Sequence, residues 1–91
     1  MPSYFVETYL ARGRADERAA SERRARSAAE EQTGTSTPVR FAGAIHIPED
    51  EICFFVFDAP SSSDAAQVAQ RAGLEPIRVV EAVSSRKEGS A

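Results

Sequence analysis

Cysteine and histidine each occur once in these 91 residues. That excludes an internal disulfide and limits any metal site to one imidazole and one thiolate per chain. No CxxC, HxH or HExxH spacing is present, so the usual zinc patterns are absent. The five glycines fall singly, at turns and in one strand, which leaves no glycine-rich loop to cradle a phosphate. No apolar run approaches the roughly 18 residues of a membrane span. The opening MPSYFVETYL has no basic region followed by a long apolar stretch, so the expected compartment is the cytoplasm. A basic excess is missing too: 11 Lys and Arg stand against 14 Asp and Glu, for a net charge of -3. This balance argues against nucleic acid or an anionic membrane as partner.

What is present fits one small domain over residues 1–84 followed by a polar tail at residues 85–91. At 42% hydrophobic content a chain this short buries only about 60% of its unfolded surface. YFVETYL (Tyr4 to Leu10) is rich in β-branched and aromatic residues and predicts a first strand. RADERAASERRARSAAEEQ (Arg14 to Gln32) has no Gly, Pro or β-branched residue and predicts a helix that turns Ala15, Ala19, Ala25 and Ala29 toward a sheet, with Gly34 beyond its end. VRFAGAIHI and EICFFVFD, joined by residues 48–51, predict a hairpin pairing Ile47 with Ile52, His46 with Cys53, Ile45 with Phe54 and Ala44 with Phe55. In that reading Val39, Phe41, Ile45 and Ile47 share one face, and Arg40, Ala42, Ala44 and His46 the other. SSSDAAQVAQRAGL opens with a capping-box-like Ser61-x-x-Asp64 and closes on Gly73-Leu74, marking a second helix before a final strand, IRVVEAV.

The order β-α-β-β-α-β is that of an α+β, ferredoxin-like domain: a four-stranded antiparallel sheet with two helices on one face. The third strand is apolar on both sides, since Ile52, Phe54 and Val56 alternate with Cys53, Phe55 and Phe57. Two helices on one face cannot cover both sets. Leaving three such side chains exposed forfeits on the order of 5 kcal/mol, and a second copy is the economical cover, which predicts a homodimer.

Few residues carry chemistry. His46 and Cys53, neighbours across the hairpin, are the candidate metal ligands, and Cys53 with His46 as base is also the one nucleophilic pair, without an orienting third residue. Glu7 lies inside an apolar strand, where a carboxylate needs solvent or a partner, with Arg40 or Arg78 available. Glu7, Tyr9 and Phe55 are the candidate ligand-binding residues. The arginines of the first helix alternate with acidic residues, including Arg18, Glu22, Arg26 and Glu30 at i,i+4 spacing, the pattern of a solvated face on which Arg23 and Arg24 are dispensable.

From Ser3 to Val83 the chain resembles a family of small proteins catalogued as a domain of unknown function, some members of which are described as nickel-binding. The opening YFVET, Cys53, Asp58-Ala59-Pro60-Ser61, Arg71-Ala72-Gly73-Leu74 and Ile77 to Glu81 carry the resemblance. It implies a ferredoxin-like subunit, a dimeric α/β barrel in which two sheets face each other, and nickel as a candidate cofactor. Only a metal shared by two subunits, with His46 and Cys53 from each, would reach four side-chain ligands. Two functional classes follow: a homodimeric protein binding a metal ion or small ligand between its sheets, or a cofactor-independent enzyme of the monooxygenase type found among dimeric α/β barrels.

Overall fold

The apolar run of the third strand sets the layering. In the computed structural model, which describes residues 1–84, this strand, β3 (Ile52–Asp58), lies inside an antiparallel sheet of order β2-β3-β1-β4. The other strands are β1 (Ser3–Tyr9), β2 (Arg40–Ile47) and β4 (Pro76–Ala82), and the helices are α1 (Glu17–Thr35) and α2 (Ser62–Arg71). The tail expected at residues 85–91 lies outside the described residues. The two helices touch each other and share one side of the sheet, α1 over β2 and α2 over β1 and β4. The expected ferredoxin-like order and architecture are thus found. Cys53, Phe55 and Phe57 are sealed beneath the helices with Tyr4 and Val6 of β1, whereas Ile52, Phe54 and Val56 stand half-buried on the opposite face.

The β2–β3 hairpin has the predicted register, Ile47 opposite Ile52 through Ala44 opposite Phe55. Pro48–Asp50 form a short 3-10 turn, and Glu51 closes it in the left-handed region at φ 54. The predicted division of β2 into faces is only half right. A bulge between Phe41 and Gly43, with Gly43 at φ 143, inserts one residue and reverses the alternation. Phe41 therefore packs on Phe57 in the core, and Ala44 and His46 follow it onto the helix side, while Ile45 and Ile47 turn to the open face.

α1 starts and ends later than the composition of its segment suggests. The chain after β1 is tied to the hairpin end, the Leu10 N–H donating to the Glu51 carbonyl and the Arg12 N–H to the Glu51 carboxylate, and a 3-10 turn at Arg12–Arg14 precedes the helix. The buried positions are Ala25, Ala28, Ala29 and Gln32, at helical spacing, and Ala15 and Ala19 are exposed. Gly34 sits in the last turn rather than beyond it. The helix ends where the Ser36 N–H reaches the Gln32 carbonyl, and Thr33 Oγ1 both accepts from the Val39 N–H and donates to its carbonyl.

α2 follows its sequence signals closely. Ser61 Oγ accepts from the Asp64 N–H at the start. At the end the Leu74 N–H reaches the Ala69 carbonyl and the Gly73 N–H that of Gln70, with Gly73 at φ 77, a Schellman stop. Because alanines give the two helices little area to share, polar contacts join them. Gln32 Nε2 donates to the Asp64 carbonyl at 3.2 Å, Arg71 pairs with Glu31 at 3.1 Å, and Arg24 Nε donates to the Ala72 carbonyl at 2.9 Å. The last contact corrects the expectation that Arg24 is dispensable: its guanidinium serves the carbonyl end of α2, where a cation is favoured. Arg26, over the Phe41 ring at 5.3 Å, is likewise more than a solvated charge.

Arg24→Gln is therefore expected to lower stability by about 1 kcal/mol in a denaturant melt, while Arg23→Gln, on an exposed position, stays within about 0.5 kcal/mol. Gly73→Ala meets space, its Cβ 3.7 Å from the Arg24 Nε, but forces alanine into a positive φ, and the expected loss is about 1 kcal/mol.

Candidate functional site

The sheet face away from the helices is organised in cross-strand rows. Val80, Phe5, Val56 and the bare Gly43 form one row, and Arg78, Glu7, Phe54 and Ile45 the next, followed by Tyr9, Ile52 and Ile47. The Phe5 and Phe54 rings pack with centroids 5.4 Å apart. Into this apolar field Glu7 inserts a carboxylate whose side chain is only 14% exposed, and Arg78, from the edge strand, donates Nε to its Oε1 at 2.8 Å. Of the two partners expected for Glu7, Arg78 is the one in place. Arg40 serves a second carboxylate, in the row of Ala82, Ser3, Asp58 and Arg40 at the other end of the face.

That carboxylate, Asp58, takes a 2.7 Å bond from the Ser3 hydroxyl and two from Arg40, by Nε at 3.0 Å and Nη2 at 2.6 Å. Burial by itself pushes the Asp58 carboxyl up, but the Ser3 and Arg40 hydrogen bonds, with the positive charges of Arg40 and the amino terminus, outweigh it and hold the group below its ordinary value of 3.8. A depression of about 850 Å³ opens beside this cluster, lined in part by Phe5, Arg40, Val56 and Ala82. The cluster was not anticipated, because Asp58 reads along the chain as part of the Asp58-Ala59-Pro60 turn. The signal lay in the pairing of the first and third strands, which sets Ser3 opposite Asp58.

The three candidate ligand-binding residues do not share one wall. Glu7 and Tyr9 belong to the open face, Tyr9 64% exposed, whereas Phe55 is 2% exposed beneath the helices. Tyr9 and Phe55 both touch a separate cleft of about 220 Å³ at the end of β1, which Leu10, Arg24 and Leu74 also line. Phe55 is part of the core, its ring tilted against that of Phe41 with centroids 6.4 Å apart.

His46 and Cys53 are cross-strand neighbours, as the register predicts, but on the helix side of the sheet. Cys53 is fully buried, and that burial, the chief influence on it, pushes the thiol up to about 11 against a smaller opposing pull from Arg18 and with a small push from Glu22. The neutral thiol is thereby favoured at neutral pH. His46 Nε2 is buried and has no hydrogen-bond partner, yet no group of three His, Cys, Asp or Glu side chains able to hold a metal ion exists among the described residues. The shared four-ligand site requires both residues to look toward a partner's sheet, and both look toward α1. The donor set does not fit a nickel centre between two sheets.

Cys53 is accordingly expected to resist a soluble thiol reagent at mildly alkaline pH and to react fully once the chain is unfolded. Its raised folded value makes the neutral thiol a stabilising feature that is fully present below pH 9, the ordinary value, and is lost as the pH rises toward about 11. Asp58 works in the opposite window: its depressed folded value stabilises the domain above about pH 4 and the contribution disappears as pH falls below that. Asp58→Asn should therefore flatten the acid limb of the stability profile and leave the alkaline limb unchanged.

No protein-family model and no curated protein matches the chain. Among solved structures it is similar to the crystal structure of SCO4226 from Streptomyces coelicolor A3(2), with a TM-score of 0.75 over 92% of this chain and 99% of that one, at 15% sequence identity. At that identity the likeness establishes a shared fold. No helix of the described residues is long and apolar enough to cross a membrane.

Proposed function

We propose that this chain acts as a cytoplasmic homodimer in which two open sheet faces meet and enclose a small-ligand site, and that it binds its ligand without transforming it. The apolar set of half-buried Phe5, Ile52, Phe54, Val56 and Val80 with exposed Ile45 and Ile47 on one continuous face is the observation that carries this reading. Its dimensions suit the task. Four strands spaced about 4.8 Å apart, each near seven residues long at about 3.3 Å per residue, make a face of roughly 450 Å² in projection. Side chains standing on that face bring the accessible area toward the roughly 800 Å² per partner of a standard interface.

Binding is favoured over covalent catalysis because Cys53, the one nucleophile the sequence puts forward, is a buried neutral thiol. Nickel has no part in this reading, since both of its candidate ligands lie behind the sheet.

Light scattering of the untagged protein at micromolar concentration should return twice the 9.8 kDa chain mass. Phe54→Lys, which sets a charge at the middle of the face, should raise the dimer dissociation constant at least about 100-fold while the circular dichroism of the fold is kept. A wild-type monomer under these conditions would contradict the proposal.

A further inference from the structure

Two sheets closing face to face would enclose a polar pair that is only half used. Arg78 meets Glu7 through Nε and Oε1 alone, and among the described residues its two Nη groups and the second carboxylate oxygen of Glu7 have no protein partner. Asp58 differs, since the Arg40 guanidinium grips it with two nitrogens and Ser3 takes its other oxygen. On the lone domain, water serves the free groups of Arg78, whose side chain is 65% exposed. Inside a closed interface they need partners, because a charge pair removed from water is stable only when its remaining donors and acceptors are met.

We infer that the enclosed site takes a flat, uncharged aromatic molecule carrying a hydrogen-bond acceptor beside a donor, such as an aromatic carboxamide or lactam, with Arg78 donating to the acceptor and Glu7 accepting from the donor. This inference rests on the homodimer proposed above. The neighbours of the pair supply the rest of the site: Phe54 is directly across from Glu7 and packs on Phe5, and Tyr9 is the next open-face residue along β1. Aromatic rings of this kind bury a flat ligand by offset or tilted packing. The charges explain the selectivity. A free carboxylate ligand is attracted by Arg78 but repelled by the adjacent Glu7, an ammonium ligand the reverse, and only a neutral donor-acceptor pair satisfies both at once.

Three probes of one shape test this: naphthamide, naphthoate and naphthylmethylamine, titrated into the untagged full chain at neutral pH and followed by backbone amide shifts, with light scattering on the same samples. Naphthamide should bind saturably with shifts centred on β1 and β4, at least about tenfold more tightly than either charged probe. Arg78→Met and Glu7→Gln, both close in volume to the native residues, should each weaken naphthamide at least about fivefold. A dimer that shows no saturable naphthamide binding, binds the three probes equally, or binds naphthamide unchanged in both variants would overturn the inference and leave the dimer standing. A monomer in the light-scattering arm would overturn the dimer itself, and the inference with it.

Discussion

Everything in this molecule is arranged around one strand with two apolar faces. β3 is hydrogen-bonded on both edges, to β1 and β2, so its backbone is satisfied and its side chains decide the rest. The Cys53, Phe55 and Phe57 side is closed by the two helices, with Cys53 and Phe57 fully buried. The Ile52, Phe54 and Val56 side has no such cover in the single domain. A sheet with both helices on one side leaves its other face bare whatever the residues on it, and here those residues are the ones a core would use.

The helical layer is thin, and its means of attachment follow from that. Alanine brings backbones close but contributes little area, about 25 cal/mol per Å² of a small surface. α1 and α2 are therefore joined by side chains that reach from one helix to the polar groups of the other. Arg24 serves the Ala72 carbonyl at the end of α2, Arg71 crosses to Glu31, and fully buried Gln32 donates to the Asp64 carbonyl. These contacts position α1 over the β2 side of the sheet, and α1 is what encloses Cys53 and His46. The charge interleaving of α1, which looks like solvent accommodation along the chain, is in part the mortar of the layer.

Most of the architecture was legible because short-range rules govern it. The hairpin register follows from turn length, and the two ends of α2 follow from Ser61 and from Gly73-Leu74. The double-sided apolar pattern of the third strand marks it as buried on both faces. What escaped depends on a single backbone event or on partners distant in sequence. The bulge at Ala42 and Gly43 reverses the facing of β2 and sends His46 behind the sheet, and an isolated glycine in a strand admits such a bulge without requiring it. The Asp58 cluster and the Arg24 cap join residues 55 and 48 positions apart, and no local pattern announces either. Of the candidate site, Glu7 and its partner Arg78 are within reach because a carboxylate in an apolar strand must be matched, whereas the face that Phe55 takes is not legible because both faces of β3 are equally apolar.

The central claim is that a second copy covers the open face. The most direct measurement is an isotope-filtered nuclear Overhauser experiment on an equal mixture of labelled and unlabelled chains, reading contacts between molecules. The account predicts intermolecular contacts from the Phe5 and Phe54 rings to methyl groups of Ile45, Ile52, Val56 and Val80, with none from Val6, Val68 or Leu74 in the core. Absence of intermolecular contacts at millimolar concentration, or contacts confined to the outer surfaces of α1 and α2, would contradict it.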